Sequence, residues 1–483
     1  MATSSHLQVA RSSTHHSARK ARQAIEAPLP AQTHTQSIDE RLALAKSLRS
    51  QCPRKSQAGW HAPKHRRDAI ETLMANSVGR VPHLVPIRYG RMMESPFAFY
   101  RGSAAIMAAD LAHTPSTGMH LQVCGDCHLL NFGGYATPER RLVFDINDFD
   151  ETSVGPWEWD LKRLAASLFI AAQSNGFSKD DGREAAWHAT SAYRDRMAEY
   201  SEMPLLDAWY DFLDLKKIIE QIVDPDLKKL AKTRLKKATE YTAHTKEFVK
   251  LAVAEGSPPR IRDELPLIYH DDSGDPAKRR KELNRGFAHY RDTLQPQRRV
   301  LLDRFRLVDV AMKVVGVGSV GTYCGILLLV SGSGDPLFLQ FKEARESVIE
   351  PYVGASVYKH HGERVVVGQR MMQSASDIFI GWTHGIARQF YVRQLRDAKI
   401  TPDISVMKPL NLRNYAELCG RALARAHART GDAVVLAAYL GKSDAFADAI
   451  TSFAVDYADQ NERDHDALIR AVRQGRVEAQ VIE

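Results

Sequence analysis

Two adjacent stretches hold residue types that could do chemistry: Cys124-Gly-Asp-Cys-His-Leu-Leu-Asn131 and Arg141-Leu-Val-Phe-Asp-Ile-Asn-Asp-Phe-Asp150. Phosphoryl transfer asks little covalent chemistry of a protein. It needs an Asp at the attacking hydroxyl, an Asn and a second Asp on magnesium, and a Lys on the phosphates. Asp126, Asn131 and Asp148 can supply the first three. Other readings compete. Asp and Asn after Gly are common turn formers, which would make the first stretch a structural loop. Cys124-x-x-Cys127-His128 matches a c-type haem attachment site. Haem attachment implies export, and the N-terminus lacks the continuous apolar stretch of a secretory signal. A zinc site would want a second ligand pair, yet Cys52, Cys324 and Cys419 are isolated. A redox dithiol would want a thioredoxin-type βαβ context, and nothing of that kind surrounds the pair.

The Gly125-Asp126-x-His128-x-x-Asn131 spacing resembles the catalytic loop of aminoglycoside- and choline-kinase-like phosphotransferases. The apolar strand ending in acids resembles their magnesium-binding segment. Among Asp145, Asp148 and Asp150, the resemblance favours Asp148 for the metal, because Asp148-Phe-Asp-Glu151 best matches the related segment. His128, Asp145 and Asp150 are then supporting residues.

Several elements must position these groups. After the chain-breaking Gly155-Pro156, residues 157–174 place Leu161, Leu164, Ala165, Leu168 and Ala172 on one helical face. Asp160 opens that helix. The resemblance gives it a supporting role, bracing the backbone of the catalytic loop; an acid favoured by the helix dipole is the plainer reading. Far downstream, a β-like run over 308–315 leads into Gly316-Val-Gly-Ser-Val-Gly321, a second run over 323–330, the turn Ser331-Gly-Ser-Gly-Asp-Pro336 and a strand over 337–341. A dinucleotide-binding fold would need a helix after the glycines. The pattern instead predicts a glycine-rich hairpin of the kind that covers ATP phosphates, with Gly316, Gly318 and Gly321 letting backbone approach them. Strand alternation puts Phe338, Gln340 and Lys342 on one face. The resemblance makes Lys342 the phosphate-binding lysine and Glu346, or failing it Glu350, its partner.

The order of parts is unusual, since the catalytic-loop match precedes the glycine hairpin by almost two hundred residues. A circular permutation accounts for it, which is physically feasible where termini lie together at the surface. The helical stripe Tyr415, Leu418, Cys419, Ala422, Leu423, Ala426 resembles the helix that precedes the catalytic loop in small-molecule kinases. Pro86-Ile-Arg-Tyr-Gly-Arg-Met92, Ser95-Pro-Phe-Ala-Phe-Tyr-Arg-Gly102, Phe144-Asp-Ile-Asn-Asp-Phe-Asp150, Tyr391-Val-Arg-Gln-Leu-Arg-Asp-Ala-Lys399 and Ala426-His-Ala-Arg-Thr-Gly-Asp432 are, together with the loop, similar to domain-of-unknown-function family 2252. That bacterial group is placed in the protein-kinase-like superfamily. The resemblance implies an α+β, two-lobe, permuted kinase-like fold with extra helical insertions. Cys124 departs from it, standing where a His often precedes Gly-Asp, and there is no clean Asp-Phe-Gly.

Composition sets the outer limits. A chain of 483 residues can form two lobes about a cleft. No apolar run of about 18 residues exists, so no membrane span is expected. Five mostly scattered cysteines suggest a reducing, cytoplasmic setting. The net charge of +8 lies in the first 80 residues, which hold 13 Lys or Arg and 5 Asp or Glu. Nucleic acid is therefore not expected as a partner beyond weak contact by that tail.

The expected organisation is a disordered basic extension (1–37), a helical lobe with the catalytic and metal loops (38–255), a linker (256–297), a β-rich nucleotide lobe (298–400) and C-terminal helices packing on the helical lobe (401–483). Residues 205–256 read as charged, solvated helices. The expected activity is ATP- and magnesium-dependent phosphoryl transfer to a small molecule, with Arg88, Arg91 and Arg101 as basic candidates on the substrate side; salt bridges within the fold would explain these arginines as well. A pseudokinase scaffold without turnover and an AMP-transferring enzyme are the alternatives.

Overall fold

Helix Trp157–Ser174 is buried on nearly every side, its charged residues included, and its apolar remainder belongs inside a core. In the computed structural model, which describes residues 36–240, 251–253, 259–271, 275–314, 316–395 and 399–481, it is that inner helix. Leu161, Leu164, Leu168 and Ala172 are fully buried. Helices Lys179–Glu202 and Ala445–Arg473 pack against it, and Pro409–Ala428 lies along Lys179–Glu202. Local chemistry starts these helices. Ser178 and Asp181 form a reciprocal capping box, and Asp432 caps Ala433–Leu440 by accepting from Val434 and Val435 N–H.

Small sheets adjoin this helical body. Strands β1 (His120–Val123) and β4 (Ser153–Pro156) pair antiparallel, and β2 (Phe132–Ala136), β3 (Leu142–Ile146) and β5 (Leu213–Asp214) form a three-stranded sheet. A further pair joins β6 (Ala252–Val253) and β7 (Arg260–Ile261). The large sheet contains β8 (Ile268–Tyr269), β9 (Phe305–Lys313), β10 (Cys324–Ser331), β11 (Pro336–Ala344), β12 (Gly381–His384) and β13 (Gln389–Gln394). Its order is β12-β13-β11-β10-β9-β8, antiparallel throughout. The architecture is α+β.

Both faces of the large sheet are covered, so its strands bury alternate residues in separate clusters. Phe338 joins Ile326 and Leu328 on one side; Leu337 and Leu339 join Leu327 and Leu329 on the other. Residues 316–323, with a 3-10 turn at Val317–Ser319, lie in the connection of the β9–β10 hairpin.

The stretch 256–297, expected as a linker, instead holds helix Pro276–Thr293. Leu283, Phe287, Tyr290 and Leu294 form its apolar stripe against the large sheet. This helix is a structural cover, made necessary because a two-sided apolar sheet cannot leave one face in water. The N-terminal extension, apart from its last two residues, lies outside the described residues. Among the described residues no helix is long and apolar enough to cross a membrane.

Gly420 marks a close helix approach. A Cβ there would stand 2.0 Å from the Ala189 carbonyl oxygen. Gly to Ala inside an exposed helix stabilises by up to about 1 kcal/mol. Here overpacking reverses the sign, and Gly420→Ala is expected to cost about 1–3 kcal/mol. Urea unfolding of the two proteins checks this, and an equal or raised midpoint would show that the helices can separate freely.

Candidate active site

The loop after β1 is held from several directions. Gly125 has φ +79°, and a Cβ there would meet the Glu151 carbonyl oxygen at 2.2 Å, so only glycine fits. The Asp160 carboxylate accepts from the backbone N–H of Cys124 at 2.6 Å and of Gly125 at 3.0 Å. His427 Nε2 lies 3.2 Å from the same carboxylate, and its Nδ1 meets the Tyr193 hydroxyl at 2.9 Å. Ser167 Oγ accepts from Leu129 N–H, and the Tyr415 hydroxyl donates to the Leu129 carbonyl. Three helices thus fix the loop through polar contacts inside the core.

Fixing the loop sets two of its side chains. Asn131 Nδ2 donates to the Asp126 carbonyl at 2.6 Å, which leaves the amide oxygen as the available acceptor. Asp126 Oδ1 receives Arg163 Nε at 2.6 Å. Arg163 is itself buried, donating to the Tyr100 carbonyl and lying over the Tyr100 ring.

The three acids of the second stretch have separate fates. Asp145 is fully buried, and both its oxygens accept from Arg425 Nη2 at 2.7 and 2.8 Å. Ser374 N–H and Oγ complete its shell. It is therefore a structural anchor, away from the cavity described below. Asp150 is engaged by Lys342 Nζ at 2.6 Å, Tyr391 hydroxyl at 2.5 Å and Ser319 Oγ at 3.0 Å. Asp148 keeps a side chain 35% exposed, with Lys342 Nζ at 3.6 Å. Burial works to raise its pKa, but Lys342, Arg393 and Lys399 outweigh this and hold the carboxyl below its ordinary value.

One cavity of about 660 Å³ gathers these groups. Its wall includes Asp126, His128, Asn131, Asp148, Asp150 and Lys342, together with Gly316 and Gly318 of the glycine hairpin. Not every expected residue is present. Gly321, at φ +85°, packs on the Arg80 side chain outside the cavity wall and serves the turn. Glu346 is exposed and forms no ion pair with Lys342. Glu350 pairs with Arg364 at 3.3 Å. The lysine's partners are Asp150 and, at longer range, Asp148. Arg88 and Arg101 line the cavity and Arg91 does not.

Sequence reasoning missed Arg163, Arg393 and Tyr391. The last two sit two apart on β13, so they share a face of the strand, and both belonged to a motif quoted only for its family likeness. Cys124 and Cys127 are buried free thiols, and burial pushes the Cys127 pKa far up. Among the described residues no group of three or more His, Cys, Asp or Glu is arranged to hold a metal.

His128 has a pKa pushed down to about 3 by burial, although Asp126 pulls the other way. The unfolded chain would carry the ordinary value near 6.5, so it binds the extra proton first. The stability this residue contributes is whole above pH 6.5 and is lost as pH falls toward 3. Unfolding free energies should therefore drop on acidification by up to about 1.4 kcal/mol per pH unit more in the parent than in His128→Gln. Denaturant titrations at pH 7 and pH 5 measure the difference, and parallel slopes would mean the folded imidazole protonates normally.

No curated protein and no solved structure matches the chain. A family described as "Uncharacterized protein conserved in bacteria (DUF2252)" matches residues 80–471. That span takes in the loop, the acid strand, the glycine hairpin and the helices that brace them. The chain belongs to the DUF2252 family of conserved bacterial proteins.

Proposed function

We propose that this protein is an ATP- and magnesium-dependent phosphotransferase acting on a small molecule, built on a permuted, two-lobe kinase-like scaffold. One observation carries the reading. Asp150 and Lys342, 192 residues apart, are in contact, and the cavity beside them also holds Asp126, Asn131, Asp148 and the glycine hairpin.

The donor set suits the cofactor. Magnesium favours carboxylate and amide oxygens, and the Asn131 amide oxygen and Asp148 carboxylate would hold it. Lys342 would meet the phosphates, with Gly316 and Gly318 admitting them close to backbone. Magnesium nucleotide, when bound, supplies the phosphoryl group and the charge that screens it. Asp126 orients the acceptor hydroxyl and takes its proton, while Arg163 keeps the carboxylate aimed. Asp150 holds Lys342 in place from the opposite side.

The Arg163 contact also favours the second reading, a nucleotide-binding protein without turnover. It occupies one oxygen of Asp126, the carboxylate assigned as base, and so leaves a single oxygen to meet an acceptor hydroxyl.

Thermal unfolding with ATP and magnesium, followed by nucleotide-turnover assays, separates the readings. ATP with magnesium is expected to raise the melting temperature of the parent. Asp148→Asn should lose most of the magnesium-dependent part of that shift. Asp126→Asn should keep nucleotide binding and lose turnover by a factor of about 100 or more. Turnover unchanged by Asp126→Asn would leave the non-catalytic reading, and release of pyrophosphate would indicate AMP transfer.

A further inference from the structure

Three arginines from the segments before β1 border the cavity, and their hydrogen bonds divide them. Arg80 donates to the Gly318 carbonyl at 3.0 Å and the Val320 carbonyl at 2.7 Å, so it holds the glycine hairpin. Arg88 donates to Ser77 Oγ, Asn76 Oδ1 and the Gly102 carbonyl, tying its own helices together. Arg101 does neither. Its Nε is buried without a partner, and among the described residues no carbonyl or side chain accepts a hydrogen bond from its guanidinium.

Position gives this free guanidinium a meaning. A Cβ on Gly316 would stand 4.0 Å from Arg101 Nη2, so the fork lies under the glycine hairpin. His128 is beside it, also lining the cavity and also with a buried, unpartnered ring nitrogen, Nδ1. The acids whose charge acts on it are Asp126, already paired with Arg163, and Glu94, which does not line the cavity. The cavity wall as a whole carries eight Arg or Lys against five Asp or Glu. Burial pushes the Arg101 pKa down, and an oxyanion entering the site would relieve that cost with charge-assisted, bidentate bonds.

We infer that the acceptor is itself an anion, a hydroxyl-bearing small molecule whose phosphate or carboxylate group is held by Arg101 while His128 bonds its polar body and its hydroxyl faces Asp126. The acceptor role rests on the phosphotransferase reading; the anion site stands on Arg101 alone.

Titration calorimetry on the full chain with inorganic phosphate tests it, run with and without a saturating non-hydrolysable ATP analogue plus magnesium. Phosphate should bind the parent in both conditions. Arg101→Gln should weaken it by about tenfold or more. Arg101→Lys should fall between, because an ammonium keeps the charge and loses the fork. Since the guanidinium supports no other residue, both variants should melt close to the parent, which guards against misfolding as an explanation. A parallel titration with acetate tells which oxyanion is preferred, and binding of either through Arg101 upholds the site. Equal phosphate affinity in parent and Arg101→Gln overturns the inference. So does loss of phosphate binding in the nucleotide-loaded protein, which would assign Arg101 to the terminal phosphate of the nucleotide. If the nucleotide fails to bind while phosphate still depends on Arg101, the phosphotransferase reading falls and the anion site remains.

Discussion

The contact between Asp150 and Lys342 is the joint about which the molecule is organised. Lys342 is nearly enclosed, with a side chain 5% exposed, and burial alone would strip its charge. Asp148 and Asp150 outweigh that penalty and keep the ammonium charged. Asp150 in turn gathers one partner from the glycine hairpin, one from β11 and one from β13. Arg364 donates to its backbone carbonyl from helix His361–Met372. Removing one member of such a pair leaves an uncompensated buried charge, at about 3–5 kcal/mol. The large sheet and the acid strand are thereby fixed to each other through one carboxylate.

The same device recurs through the interior. Asp145 with Arg425 and Asp160 with His427 are buried pairs between segments remote in sequence, and Glu350 with Arg364 is a buried pair between neighbouring ones. Apolar packing of the inner helix is tolerant of small rotations, whereas a carboxylate that must meet two N–H groups at 2.6 and 3.0 Å is not. The core supplies the driving force, and these polar pairs set the register in which the cavity wall is presented.

Residues that act through local pattern were legible, and those that act through distant partners were not. Alternation along β11 placed Lys342 on the face shared by Phe338 and Gln340, and that face is the one observed. The glycine segment read as a hairpin and is one. Helix Pro276–Thr293 is hidden because Pro258-Pro259 and His270-Asp-Asp-Ser-Gly-Asp-Pro276 read as a linker, and its own apolar stripe is thin among Lys278, Arg279, Arg280 and Lys281. The resemblance implies Glu346 or Glu350 as the partner of Lys342, yet the acid that reaches it lies 192 residues upstream. Arg163 sits on a helix whose spacing announced only core. Nothing local tells a buried arginine from a solvated one, since the difference is the carboxylate it meets.

The pairing of Asp160 with His427 and of Asp145 with Arg425 also bears on synthesis. The loop and acid strand leave the ribosome first, while the helix that braces both is made 267 to 280 residues later. At about 5–20 residues per second this interval is on the order of tens of seconds. Throughout it Asp145 has no guanidinium to meet, and the loop lacks its second brace. The nascent chain therefore carries the loop and acid strand in an unfinished geometry until helix Pro409–Ala428 has emerged, and a ribosome stalled before that helix yields a product with those segments unset.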